Sequence, residues 1–411
     1  MLNVLVLVCF WIWGWLDAKY QSRFKAEPYP IPSNPKFSPR DVSLICCTLG
    51  QVSADRFARC LHTWLANDPR EVIIAAPLRA KEDITKLVED ALDILSPSIL
   101  KLTVAKRITF VFSLEASKRL QLVEGLKVAT GPIIAGVDDH ITWPDFMLKG
   151  MLACFEDSKV GAVHPTISVD IPLDRQCDDI ITAWEACCTR LKTKGITKTL
   201  SIYAATDFTL CLVGETYVCR AEILKDPKFT DKYLNEHLFW RGPIDISDDC
   251  FITRWLVQND WKIAVQNNII GQGPSRTVKE TSAFLAQWMR WQRSAMVNYW
   301  TMAITVPQVW SKPYSAFKII ERLIRPVTNA IHIWAWFSCA KFHPYFVTFS
   351  LLCYATRATS SLARFMSLYP YMWRHIVPLI LIDHFYIIED YVCLATIMNI
   401  SWGGRDIPGK T

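Results

Sequence analysis

The stretch Gly131-Pro-Ile-Ile-Ala-Gly-Val-Asp-Asp-His140 is an apolar run that ends on two carboxylates and an imidazole. Nothing polar interrupts Ile133 to Val137, as a strand buried on both faces requires. Similar runs lie upstream: VSLICCTL (Val42–Leu49), EVIIAA (Glu71–Ala76) and ITFVFS (Ile108–Ser113). The segments between them read as helices: ADRFARCLHTWLA from Ala54 to Ala66, KEDITKLVEDALDIL after the second run, and KRLQLVEGLKVA before the fourth. Continuous apolar strands alternating with helices predict an α/β fold with a mostly parallel, doubly covered sheet. Right-handed crossovers place it among the nucleotide-binding folds, which bind ligands at the carboxyl ends of their strands. Asp138 and Asp139 fall at such an end.

Composition agrees with a catalytic domain flanked by apolar segments. The 411 residues are 51% hydrophobic and 12% aromatic, with 17 tryptophans, and the apolar residues crowd the two ends of the chain. A net charge of +6 without a long basic run gives no reason to expect a nucleic-acid partner. The fourteen cysteines sit mostly within apolar runs, with no Cys-x-x-Cys pair, and read mostly as small buried hydrophobes in a reducing compartment.

Leu2 to Leu16 form an apolar run followed by Lys19, Arg23 and Lys25. It is short for a span of about 20 residues. It lacks the basic start and small-residue cleavage site of a signal peptide, so an uncleaved anchor (residues 1–20) with a cytosolic basic flank is expected. The proline-rich segment Glu27 to Arg40 marks the boundary of a catalytic domain over 38–310. Residues 311–411 hold two apolar stretches, Val327–Ala355 and roughly Tyr369–Ile400. The second is broken by Arg374, Asp383, Glu389 and Asp390. They are read as interfacial or transmembrane helices, two to four spans in number, whose charges face one another or a polar cavity.

Group transfer from a nucleotide diphosphate in such a crevice needs a cation for the diphosphate, a base for the attacking group, and partners for the leaving charge. Asp138, Asp139 and His140 offer metal ligands suited to Mn²⁺ or Mg²⁺. Asp248 and Asp249 open an apparent helix, where carboxylates also serve as caps. Gln287, Arg290 and Trp291 share one helix face, fit either for a diphosphate and a sugar ring or for a membrane surface.

In this order the segments resemble the processive family 2 glycosyltransferases, the hyaluronan, chitin and cellulose synthases, and above all the fungal type 2 glycosyltransferases. Gln287-Trp-Met-Arg-Trp291 is similar to that family's Q-x-x-R-W motif. Asp248-Asp249 ahead of Phe-Ile-Thr resembles its acidic pair. Lys118-Arg119-Leu-Gln121 resembles the helix before its metal strand, and Ser401-Trp-Gly-Gly-Arg405 its closing W-G-T-R. The resemblance implies a GT-A-like domain that inverts the sugar in one step, with Asp249 as base beside Asp248. It further implies that Gln287 and Arg290 bear the leaving diphosphate and that Trp291 packs near the acceptor. Lys118, Arg119 and Asp138 would contact the nucleotide, and Gly214 and Glu215 would form an acceptor-side loop. The expected partners are a UDP-sugar, a growing polysaccharide and membrane lipids, in a multi-pass protein of the plasma membrane with a cytosolic catalytic domain. A lipid acceptor of the ceramide type and a non-catalytic membrane relative are the rival readings. The chain departs from the family pattern at Asp-Asp-His in place of Asp-x-Asp, and at Ala75-Ala76-Pro77, where relatives place a carboxylate for the nucleotide base.

Overall fold

The computed structural model describes residues 1–95, 107–238, 243–244, 247–267, 274–277 and 279–399. The four apolar runs are strands: β1 (Val42–Cys47), β2 (Glu71–Pro77), β3 (Ile108–Ser113) and β4 (Ile133–Val137). They are joined by a short β5 (Ile141–Thr142) to β6 (Val160–Pro165), β7 (Ser168–Asp170), β8 (Thr216–Arg220), β9 (Lys262–Gln266) and β10 (Ser275–Thr277). The main sheet runs β3-β2-β1-β4-β8-β6-β9, with β5-β10-β7 forming a second sheet. β1 pairs in parallel with β2 and with β4, and among the described strands of the main sheet β8 alone runs against its neighbours. The expected mostly parallel sheet is therefore present, with one reversed strand.

The chain moves from β1 outward to β3, then returns to β4 on the other side of β1. This reversal opens a crevice at the carboxyl ends of β1 and β4, the usual ligand position in such sheets. Because β8 is antiparallel, the residues that enter it, Gly214 and Glu215, lie at the same end.

Helices α2 (Ala54–Ala66), α3 (Lys81–Leu95) and α4 (Lys118–Val128) cover the sheet. Phe57, Leu61 and Trp64 of α2 recur at helical spacing and are fully buried. The Trp64 indole reaches the Ile141 carbonyl at 2.8 Å, tying α2 to the segment after the crevice. The Ser117 hydroxyl accepts from the Leu120 N–H and starts α4, fixing Lys118 and Gln121 in its first turns.

Four further helices, α5 (Ala183–Thr206), α6 (Asp248–Gln258), α7 (Ala283–Thr305) and α8 (Pro313–Phe342), extend the core beyond the sheet. One continuous cluster joins Ile45 and Ile134 to Met302, Val309 and Ile319. Beyond it lie α9 (Pro344–Leu368), α10 (Ile376–His384) and α11 (Tyr386–Ala395). Their outer faces expose Phe337, Phe349, Leu352, Leu381 and Ile388 together with the end of α8.

The N-terminal run continues as helix to Arg23, giving α1 (Leu2–Arg23) 22 residues, long enough for a bilayer. It packs along α8, where the Trp13 indole donates to Glu321 at 2.8 Å and Lys318 lies 2.5 Å from Asp17. Among the described residues α1 is the one helix long and apolar enough to cross a membrane. Charges such as Arg357 and Arg364 interrupt α9, and α10 and α11 have only 9 and 10 residues. The charges in these helices do find protein partners, as expected. Arg190 of α5 lies 2.7 Å from Asp383, and Arg322 and Arg325 of α8 pair with Glu389 and Asp390 of α11.

Candidate active site

Lys118 is the centre of the crevice. Its ammonium lies 2.9 Å from Asp138, 3.3 Å from Asp248 and 3.2 Å from the Gly214 carbonyl. One cation thus joins α4, the end of β4, the first turn of α6 and the loop before β8. Burial opposes its charge, but Asp138 and Asp248 hold its pKa well above the ordinary lysine value. Lys118 is therefore a fixed ammonium facing the nucleotide-binding end of the sheet. Cys47, Gly136, Tyr217 and Gly214 line the same small cleft.

Asp139 points to other partners. One of its carboxylate oxygens accepts from the Thr48 hydroxyl at 2.5 Å, and the other meets His140 Nδ1 at 3.1 Å. Burial raises its pKa, but His140, Thr48 and Lys118 together hold it below the usual carboxylate value. Thr48 follows β1 directly, and its carbonyl accepts from Gln121 at 2.9 Å. Of the three candidate metal ligands, Asp139 and His140 share one place, while Asp138 is held by Lys118. A carboxylate and an imidazole are donors that Mn²⁺ accepts readily, so this donor set fits a divalent cation.

Asp248 and Asp249 open α6, as the sequence implied, after Ser247 turns the chain at φ 60°. Asp249 is pushed up to about 6, first by burial and then by the neighbouring Asp248 charge, against the pull of Lys118 and its hydrogen bond from the Cys250 N–H. A carboxyl so tuned can take up and release a proton near neutral pH. A Cβ on Gly214 would stand 2.8 Å from an Asp249 oxygen, so only glycine lets this loop approach the carboxylate.

The structure also resolves how Gln287-Trp-Met-Arg-Trp291 is connected to this centre. All five residues lie in α7, where Gln287, Arg290 and Trp291 are half-buried. Lys192 of α5 lies 4.2 Å above the Trp291 ring and 3.4 Å from the Glu215 carboxylate. The Glu215 carbonyl in turn accepts from the Asp138 N–H at 2.9 Å. A second link runs from Arg254 of α6 to Asn298 of α7 at 2.5 Å. Trp288 turns away from the crevice and donates to Glu389 at 2.7 Å.

Arg119 does not join Lys118 in the cleft. It is 1% exposed, donates to the Tyr233 carbonyl at 2.6 Å and pairs with Glu236 at 2.6 Å. Adjacent helical residues diverge by about 100°, so one of the pair faces the site and the other the core. The motif at Ser401–Arg405 lies outside the described residues. Sequence reasoning missed Thr48 and Lys192, and gave Gln121 no role beyond its place in the helix motif. Thr48 was within reach, since it ends a strand beside the crevice. Lys192 carries no local signal at all.

Residues 39–294 match the family described as Glycosyltransferase like family 2. The chain is 31% identical to an NDP-glycosyltransferase of Aspergillus luteorubrus, over 96% of each protein. It is 26% identical to a type 2 glycosyltransferase of Gibberella zeae, over 96% of this chain and 76% of that protein. The solved structure of S. aureus TarS overlaps 69% of this chain and 43% of its own at 14% identity and a TM-score of 0.38, too distant to carry an argument. The chain belongs to glycosyltransferase family 2, in its fungal branch, and is an enzyme of GT-A-like fold that transfers a sugar from a nucleotide donor.

Proposed function

We propose that the enzyme transfers a hexose from a UDP-sugar to a growing polysaccharide with inversion, and that Asp249 is the general base. The observation that carries this reading is the single Lys118 ammonium shared by Asp138, Asp248 and Gly214, beside a carboxyl tuned to about 6. Asp249 takes the proton from the acceptor hydroxyl as its oxygen attacks the anomeric carbon. The carbon–oxygen bond to the diphosphate breaks on the opposite face, and one displacement inverts the centre. Lys118 contributes fixed positive charge on the nucleotide side, while Gln287 and Arg290 receive the leaving diphosphate. Trp291, steadied by Lys192, packs against the acceptor, with Gly214 and Glu215 forming the loop on that side. Asp139 and His140 would hold Mn²⁺ or Mg²⁺, which supplies positive charge to the diphosphate when bound.

In this reading residues 38–310 are the catalytic part, anchored by α1, with the apolar faces of the helices in 311–411 lying in the membrane interface. All fourteen cysteines are free, which supports a reducing, cytosolic setting at the plasma membrane. A second reading, transfer of one sugar to a lipid, draws support from the apolar surface that α8 to α11 expose and from the presence of one span candidate. Membranes incubated with a panel of radiolabelled UDP-sugars test both. Label in a high-molecular-weight polymer supports the first, label in a lipid-extractable monosaccharide conjugate the second, and no metal-dependent incorporation overturns both.

A further inference from the structure

Two thiols stand beside the proposed base. Cys211, in the loop that leads to Gly214, lies with its Sγ 3.2 Å from the Sγ of Cys250 in the first turn of α6. A carboxylate oxygen of Asp249 completes a set of three ligand atoms within 4.8 Å of one another. The set is held from both sides. The Leu212 N–H donates to the Thr253 hydroxyl at 2.8 Å, and that hydroxyl donates to the Asp249 carbonyl at 2.8 Å. Asn298 of α7 grips the Leu210 carbonyl at 3.0 Å. The loop and the helix that carry the three ligands are therefore fixed to each other before any ligand arrives.

We propose that Cys211, Cys250 and Asp249 form a binding site for a thiophilic divalent cation of the zinc and cadmium class, and that its occupation silences transfer by engaging the base. Two sulfurs and one carboxylate leave a fourth tetrahedral position for water. Softness separates this set from the oxygen and imidazole donors at Asp139 and His140, which suit Mn²⁺ and Mg²⁺. Each thiol gives its proton to solvent as its sulfur–metal bond forms, and the aquo ion sheds the water it loses. The silencing rests on the reading of Asp249 as base; the binding does not.

The test titrates Cd²⁺ into the full chain in detergent with Mg²⁺ present, reading ultraviolet thiolate-to-cadmium absorption and sugar transfer side by side. The wild type gains absorption while transfer falls over the same concentration range. Cys211→Ser and Cys250→Ser each remove one thiolate's increment. The double variant keeps its basal transfer and needs about tenfold or more Cd²⁺ for inhibition, since losing ligands costs at least what losing their outer-shell partners does. Equal absorption and inhibition in wild type and double variant overturn the site, as does inhibition that a reductant relieves and a chelator does not. If the double variant does not fold, X-ray absorption of wild type with one equivalent of zinc reads the same set. Two sulfurs at about 2.3 Å support it, and an all-nitrogen-and-oxygen shell overturns it. If Asp249→Asn keeps full transfer, the base assignment falls, and the absorption difference still judges the site.

Discussion

Two groups of enclosed charge in this enzyme differ in their balance. Under α7, Arg322 and Arg325 face Glu389 and Asp390 at 2.5 to 3.3 Å, two cations against two carboxylates, with Asp390 fully buried. In the crevice, Lys118 stands among Asp138, Asp139, Asp248 and Asp249. The first group is neutral as a whole and is completed by Trp288 and Gln292, both donated or accepted within the protein. Such a group holds helices in register. The second leaves carboxylates in excess. Burial raises the affinity of Asp249 for its proton first, as it does for Glu389 and Asp390, and the Asp248 charge beside Asp249 adds to it. That excess is what a cation, a sugar hydroxyl and a proton in transit relieve. Charge balance thus separates the scaffold from the machinery more clearly than burial does.

The sharpest way to break the comparison is Asp249→Asn, which removes the base and keeps the shape. Transfer measured in membranes should fall about a hundredfold to ten-thousandfold, the usual worth of a general base. Nucleotide binding and the melting temperature should hold. Asp390→Asn is the counterpart in the balanced group. It leaves two arginines undercompensated and should destabilise the fold by about 3–5 kcal/mol, read as a lower melting temperature in detergent. Replacing Arg322, Arg325, Glu389 and Asp390 together with Met and Leu should restore most of that loss, because a buried ion network and a packed apolar one are often close in stability.

The pH profile gives a smaller and more diagnostic effect. Asp249 must be ionised to accept a proton, so kcat/KM should rise with pH through about 6 and then level off. Asp248→Asn removes the second cause of the raised value while burial remains, so the midpoint should move to lower pH without reaching that of an ordinary aspartate. A midpoint unmoved by this change would mean that Asp248 does not act on Asp249. The smallest effect is expected from Lys192→Met. It removes the ring contact with Trp291 and the pair with Glu215, together worth about 0.5–2 kcal/mol. The acceptor KM should rise severalfold while donor hydrolysis changes little.

How much of this was legible in the sequence depends on the range of the interactions involved. The four strands β1 to β4, their helices and the placing of Asp138 and Asp139 at a strand end follow from apolar runs and periods that a local window contains. Gln287-Trp-Met-Arg-Trp291 was legible as a helix face for the same reason. The separation of Lys118 from Arg119 was not, since both suit a phosphate and only the packing of α4 decides which one faces the crevice. Nor was Lys192, which acts through residues distant in the chain.

The sequence alone determined the class of fold, the order of the acidic segments and the apolar character of both ends, because hydrophobic pattern and turn chemistry act over a few residues. The tertiary structure decided which carboxylate pairs with Lys118, that Asp139 turns to Thr48 and His140, and that only glycine fits against Asp249. It also decided that Arg322 and Arg325 meet Glu389 and Asp390, and that α1 is the one span candidate among the described residues. These are matters of distance between segments far apart in the chain, and electrostatics in an enclosed site depends on such distances, whatever the spacing along the sequence.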